Sequence, residues 1–307
     1  MKHRILRLLT TTVALLLFAV PAHSQAAEVD IITPHITDSH EIEIPWPVWP
    51  GLHKVVHLPR WEPFMIPGTH IAVDMSPTKH VVWMLISALT VAGLLLFAAS
   101  AQGRQTRQSG HAKGFAGGIE ALVLYIRNEV IIPNVGPRGG PFAPFLLTLF
   151  FFIMFCNLWG IFPWGSTATG NISVTATLAL ITFVVIEASG MRAQGLGYLG
   201  TIFYWNKDMP LVLRIVMAIV ISPIEFIGKL TKPFALMIRL FANMTAGHII
   251  VLALIGMIFS FKSIISIAPF FMAIAINLLE FGVAMLQAFI FTLLSSVFIG
   301  QVRTAHH

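Results

Sequence analysis

The sequence predicts an all-α polytopic membrane protein: five transmembrane helices, the last two very long and steeply tilted, plus an amphipathic helix on the cytoplasmic surface. Three observations carry this expectation. Of the 307 residues, 56% are hydrophobic and only 10% are charged, where a soluble domain carries about 25%. The mean hydropathy is +0.83. The apolar residues are also gathered into runs longer than the roughly 20 residues that cross a bilayer. This composition excludes a soluble globular enzyme and a disordered chain. A net charge of +6 would suggest nucleic acid in a soluble protein. Here the basic residues fall where cytoplasmic loops are expected, so no nucleic-acid partner is predicted. The single cysteine, Cys156, lies inside an apolar run, so an internal disulfide is excluded and neither a metal site nor a cofactor is expected.

Residues 1–26 have the pattern of a secretory signal: Lys2, Arg4 and Arg7, then an apolar stretch from Leu8 to Val20, then small residues around Ala22 and Ala26. A cleaved signal and a retained short anchor both fit, and either would export the adjoining segment. That segment, residues 27–79, carries seven acids against three bases and is rich in Pro and Trp, as in Pro45-Trp46-Pro47-Val48-Trp49-Pro50. It predicts irregular or short-strand structure at the outer membrane face. His53 and His57 are four apart and would share a helix face, but Pro and Gly flank them, so a solvated loop is the plainer reading beside a metal site.

The membrane domain is expected over 80–307. Its first span runs from about His80 to Ala101, followed by Arg104, Arg107 and Lys113 in a Gly/Ser/Gln-rich loop. Positive residues stay inside, and an exported N-terminus demands the same orientation. Residues 115–132 form an amphipathic stretch in which Glu120, Arg127 and Glu129 interrupt apolar residues, as in a helix lying on the membrane surface. From Gly139 to Ile186 there is no charge, and the polar turn from Gly165 to Asn171 divides this run. This pattern predicts a helical hairpin over 142–190. A long helix pair is expected over 209–303: one apolar stretch from Pro210 to Phe261, broken by Pro223 and Pro233, and another from Ser263 to Val302 with Glu280 as its one charge. A forty-residue helix is about 60 Å long, twice the hydrocarbon thickness, so it must tilt or break. The N-terminus is then outside and the C-terminus inside. No internal repeat of the secondary-transporter kind is present.

An ionisable residue in hydrocarbon is a functional candidate, and three stand out: Arg239, His248 and Glu280. Arginine cannot neutralise itself, so Arg239 needs a carboxylate, water or a partner subunit, or else must snorkel to an interface. Measured from the turn at Lys262 at 1.5 Å per residue, His248 lies about 21 Å and Glu280 about 27 Å along their helices, with Arg239 at about 35 Å and Gln287 at about 38 Å. Two pairs at matched depth result, His248 with Glu280 and Arg239 with Gln287. Glu280 and Gln287 share a face, with Asn277 near it, and Arg239 shares one with Asn243. A His–Glu pair at this depth suits a proton relay or a static hydrogen bond between helices, and the residue types leave both open.

The stretch Pro223-Ile-Glu225-Phe-Ile-Gly-Lys-Leu-Thr-Lys232-Pro233-Phe-Ala-Leu-Met-Ile-Arg239-Leu-Phe-Ala-Asn243-Met-Thr-Ala-Gly247-His248 closely resembles the subunit a family of F-type ATP synthases. So do Leu286-Gln287-Ala288-Phe289-Ile290-Phe291 and Asn157-Leu-Trp-Gly-Ile-Phe-Pro163. The resemblance runs from about residue 80 to the end. It implies a proton-translocating stator subunit beside a ring of c subunits, with peripheral-stalk b subunits, other ATP synthase subunits and the lipid bilayer as further partners. It also implies a bacterial inner-membrane location. Two offset half-channels would feed the ring carboxylates, and Arg239 matches the arginine that separates them. Asn243 and Gln287 match polar residues beside it; Asn157, His248 and Glu280 match the outer half-channel. Common bacterial members have Glu where His248 stands and His where Glu280 stands, an exchange that resembles mitochondrial members. Some carry an acid in place of Gly160 and a serine in place of Ala235. The inner half-channel is therefore poorly defined, with Glu225 a weak candidate. No phosphate-binding glycine loop occurs, so ATP chemistry would lie on other chains. The competing classes are a secondary transporter that holds an anion with Arg239 and an intramembrane metal or haem protein. The first lacks repeats, and the second lacks buried ligands beyond His248.

Overall fold

The computed structural model describes residues 36–45, 53–65, 67, 72–109, 114–136, 139–162, 165–201, 210–261 and 264–304. All belong to the unit Ile32–His307; the other unit, Met1–Ile31, holds the signal segment 1–26, which lies outside the described residues along with Lys113 and Lys262.

Among the described residues, five helices are long and apolar enough to cross a membrane. The first, α1 (Lys79–Ser109), contains the expected first span but does not end with it. Arg104 and Arg107, expected in a loop, are instead on its final turns, because nothing between Ala101 and Ser109 breaks a helix except the single Gly103. Within the span, Ser87 and Thr90 donate to the carbonyls of Trp83 and Ile86, which removes two free hydroxyls from an apolar environment. The amphipathic segment is α2 (Gly114–Tyr125), then a π-helical turn over Ile126–Ile131, then α3 (Ile132–Val135). The π turn buries Ile126, Val130 and Ile131 together, a local widening that period-3.6 reasoning does not foresee.

The region 142–190, expected as a hairpin, holds α4 (Ala143–Ile161) and α5 (Ile172–Gln194), joined by the turn over 165–171. Asn171 caps α5, its side chain accepting from the Ser173 N–H at 2.9 Å. Gly195, with φ +62°, ends it and returns its N–H to Met191 O, a left-handed cap that favours glycine. The long pair is α6 (Leu211–Phe261, 51 residues) and α7 (Ile267–Thr304, 38 residues). Breaks were expected at Pro223 and Pro233, yet α6 runs through both. Each proline removes one backbone donor. In a helix otherwise fully bonded, that loss is tolerated more readily than the exposed backbone of a break in lipid.

α7 is the central element and packs on α4, α5 and α6. Its buried face carries small residues, Ala284, Ala288, Ser295, Ser296 and Gly300, which let backbones approach closely where no hydrophobic force operates between helices. Gly300 is the limiting case: a Cβ there would lie 2.0 Å from the Asn134 carbonyl oxygen of α3. Outside the spans, β1 (Glu41–Pro45) pairs antiparallel with β2 (His53–His57), and β3 (Phe64–Met65) with β4 (Ala72–Val73). His53 and His57 are thus on a strand, not a helix or a loop, and His57 Nδ1 lies 3.3 Å from Glu41 Oε1 across the ladder. Among the described residues no group of three or more His, Cys, Asp or Glu could hold a metal ion.

Candidate functional site

Each polar candidate is placed by the helix that carries it. On α7 the spacing 280, 284, 287, 288, 291 follows one helix face, and all five residues are buried, Glu280 at 4% and Gln287 at 1% exposure. On α6, Leu236, Leu240 and Met244 turn inward, while Ala235, Ile238, Arg239, Ala242, Asn243, Ala246 and Ile250 lie on the exposed side. Arg239 therefore sits on an open apolar face, and no hydrogen bond or ion pair links it to another described residue.

The two long helices meet through Asn243, whose Nδ2 donates to Gln287 Oε1 at 3.1 Å. Gln287, expected at the depth of Arg239, is thus bonded to Asn243 one helical turn away. Asn157, buried on α4, reaches the same face: its Nδ2 donates to Ala284 O at 3.3 Å, and Thr169 Oγ1 donates to its Oδ1. Ala284 stands between Glu280 and Gln287, so a three-helix polar seam runs Asn243–Gln287–Ala284–Asn157–Thr169. Glu280 lies against Gly247, where a Cβ would be 3.1 Å from its Oε1. Glycine makes room for the carboxyl group beside His248. His248 itself lines a small cavity of about 20 Å³ with His80, Ser166, Thr167, Gly170 and Thr245. The structure thus brings Glu280 to the residue preceding His248, while the His248 ring lines a cavity that Glu280 does not line. Asn277 is half-buried on α7, its Oδ1 without a hydrogen bond.

Gly160 accounts for one departure noted in the sequence. A Cβ there would be 1.5 Å from Thr167 Oγ1 and 2.9 Å from Thr167 Cα. The turn after α4 folds back over residue 160, leaving no space for an acid.

Glu225 is exposed on α6 and lines a second cavity, of about 140 Å³, with Glu187, Tyr198, Lys229, Lys232 and Gln301. Lys229 Nζ donates to Tyr198 Oη at 2.8 Å and Thr201 Oγ1 at 2.9 Å, and lies 3.7 Å from Glu187 Oε2. Burial, then the neighbouring Glu187, pushes the Tyr198 phenol above its ordinary pKa, so it stays a donor. Sequence reasoning does not find this cluster. Its members are spread over α5, the turn after it and α6, and only the fold gathers them.

A second unforeseen cluster lies at the start of α1. His80 Nδ1 is 2.7 Å from Asp38 Oδ1, and Asn171 Nδ2 donates to Asp38 Oδ2 at 3.0 Å. The available signal was an ionisable residue in the first turn of a span, next to an acidic segment.

Five apolar helices long enough to cross a bilayer, a polar seam across three of them and an arginine on the exposed face of the longest define the class, an integral-membrane protein. The family model described as ATP synthase A chain matches residues 81–300. The chain is 46% identical over 269 residues to "ATP synthase subunit a" of Chloroherpeton thalassium, covering 87% of this chain and 74% of the relative. It is 47% identical over 259 residues to "ATP synthase subunit a 2" of Chlorobaculum tepidum, with 82% and 68% covered. It is 40% identical over 307 residues to "ATP synthase subunit a" of Anaeromyxobacter dehalogenans, with 94% and 78% covered. The chain belongs to the ATP synthase subunit a family. It is a multi-pass, proton-translocating subunit of the membrane sector, and other subunits of that complex are its partners.

Proposed function

We propose that this subunit is the stator of the rotary membrane sector and couples proton flow to ATP synthesis by feeding the carboxylates of a c-subunit ring through two offset half-channels. The observation that carries the reading is Arg239: a permanent charge on an exposed apolar helix face, with no counter-charge among the described residues. A charge at that depth is costly unless compensated. A ring carboxylate moving past α6 would compensate it in trans, and the fixed cation would hold that carboxylate deprotonated while keeping protons from leaking between half-channels. Asn243 and Gln287 position the neighbourhood of Arg239. Asn157, Glu280 and His248 form the outer path, and Glu225, with Asn277 as a further weak candidate, belongs to the remaining polar route.

In this reading residues 1–26 are a signal, 27–79 lie on the outer face, and 80–307 form the membrane domain with its C-terminus inside a bacterial inner membrane. Peripheral-stalk b subunits hold the chain against rotation. The chain has no catalytic site, and ATP chemistry is performed by other subunits. The test is Arg239→Ala in membranes carrying the whole complex. ATP-driven acidification of vesicles should be abolished, while ATP hydrolysis by the released catalytic head survives. Pumping at the unaltered rate would overturn the proposal.

A further inference from the structure

The segment before the first span makes contacts with the membrane domain that the stator mechanism leaves unused. Residues 38–41 are pinned to the start of α1: Lys79 N–H donates to Ser39 O at 2.9 Å, and His40 Nδ1 lies 3.1 Å from Pro77 O. These bonds hold Asp38 over His80. The Asp38 side chain is 33% exposed and reaches water, whereas His80 beneath it is 3% exposed. The two side chains are 2.7 Å apart, within direct hydrogen-bond range.

His80 also lines the small cavity that His248 lines. The cavity of about 20 Å³ suits a single water, for which roughly 10–15 Å³ and two or more polar partners are needed. Partners are available: the buried hydroxyls of Ser166 and Thr245, both on the cavity wall, make no hydrogen bond to a described residue. From water to His248 the order is therefore Asp38, His80, the cavity, His248, each in contact with the next.

We propose that Asp38 and His80 form the outer mouth of the proton path, a two-residue relay that hands protons through a cavity water to His248. This rests on the proton-conducting stator function and extends it to the segment before the membrane domain. One proton is carried inward, and Asp38 and His80 return to their starting charges. Asp38 takes a proton from the outside and passes it to His80 Nδ1; the other ring nitrogen of His80 gives its proton to the cavity water, which passes one on to His248. Return of His80 to its first tautomer completes the cycle. Besides Asp38 and His248, the charged and polar groups around His80 are Lys79, a neighbouring positive charge, and Asn171 and Thr78, which bond the Asp38 carboxylate.

The experiment uses membrane vesicles containing the complete complex, stripped of the catalytic head so that passive proton conductance through the membrane sector is read directly. Asp38→Asn keeps the shape and an acceptor for His80 but carries no proton. Its conductance should fall about a hundredfold, the low end of what a positioned proton-transfer group contributes. Its dependence on outer pH should lack the acidic limb expected of the unaltered complex, and Asp38→Glu should restore both. A merely structural Asp38 would leave the pH profile unmoved.

Thr245→Val is the second variant. It preserves the Asp38–His80 pair but removes one wall hydroxyl from the cavity, and it decides the matter should Asp38→Asn reduce the amount of subunit in the membrane. Unaltered conductance at every outer pH, in Asp38→Asn or in Thr245→Val where the former does not assemble, overturns the relay. Arg239→Ala, measured for ATP-driven pumping in unstripped vesicles, separates the two proposals. Loss of coupled pumping there with a normal Asp38→Asn rejects the relay alone, whereas normal pumping in Arg239→Ala rejects the stator function on which the relay depends.

Discussion

Asn243 Nδ2 donates to Gln287 Oε1 at 3.1 Å, joining α6 to α7 one helical turn from Arg239. Asn243 lies on the exposed side of its helix and Gln287 is 1% exposed, so the bond runs from the open face to the interior and fixes the rotation of α6 beside the arginine. Replacing Asn243 by Ala leaves the buried Gln287 amide short of a partner, a cost of about 1–3 kcal/mol. The expected outcome is a lower thermal midpoint for the detergent-solubilised complex and slower ATP-driven pumping. A double-mutant cycle with Gln287→Ala should show a coupling of about 1 kcal/mol. Strict additivity would show that the two side chains do not act together.

The face that carries Arg239 should be the face the c ring touches. With Cys156 replaced, cysteines introduced along 236–250 are predicted to crosslink to the outer helix of a c subunit at 238, 239, 242, 246 and 250, which lie on the exposed side of α6. Positions 236, 240 and 244 are buried and should fail. A flat pattern, or the inverse one, would place the ring elsewhere.

His248 and Glu280 exchange the acid and base expected in common bacterial members of the family. The double exchange His248→Glu with Glu280→His should retain more proton-driven ATP synthesis than either single change. The margin is expected to be modest, because the Glu280 carboxyl packs on Gly247 and His248 lines a separate cavity. Additive losses in synthesis rate would argue against any functional pairing.

Gly160→Ala should lower the quantity of subunit retained in the membrane. The added Cβ meets Thr167 backbone and side chain, and overpacking of this kind costs about 1–3 kcal/mol. Gly256→Ala is the control, since nothing lies within 4 Å of its Cβ position. Equal membrane levels for both variants on immunoblots would contradict the close approach.

Asp38 sets a pH window. Burial raises its pKa, but the hydrogen bond and charge of His80 outweigh burial and hold the carboxyl below its ordinary value. A depressed folded-state pKa contributes stability that is present above the unfolded-state value, about 3.9, and is lost as pH falls through the folded value. The thermal midpoint of the complex is therefore expected to decline as pH drops below about 4, and Asp38→Asn should flatten that part of the curve. An identical acid profile in the variant would rule out this contribution.

The span count and the two over-long helices are legible in the sequence because each depends on a run of apolar residues meeting a fixed bilayer thickness, a one-dimensional property. Where sequence reasoning misleads, the cause is context. Proline disfavours helix interiors in water, which predicts breaks at Pro223 and Pro233; the penalty for exposing backbone in lipid reverses that choice. Composition predicts a loop at Arg104 and Arg107, though only Gly103 argues against continuing the helix.

By itself, then, the sequence determined the class of protein, the helices and the short roster of charged residues within them. It did so because hydropathy and helical rise act locally along the chain. The tertiary structure alone decided which of those residues face outward and which meet: Arg239 open on α6, Asn157 joined to the backbone between Glu280 and Gln287, and Asp38 laid over His80 from 42 residues away. Such meetings depend on helix rotation and close approach at small residues such as Gly247, Gly160 and Gly300, and these are settled by packing among elements distant in sequence.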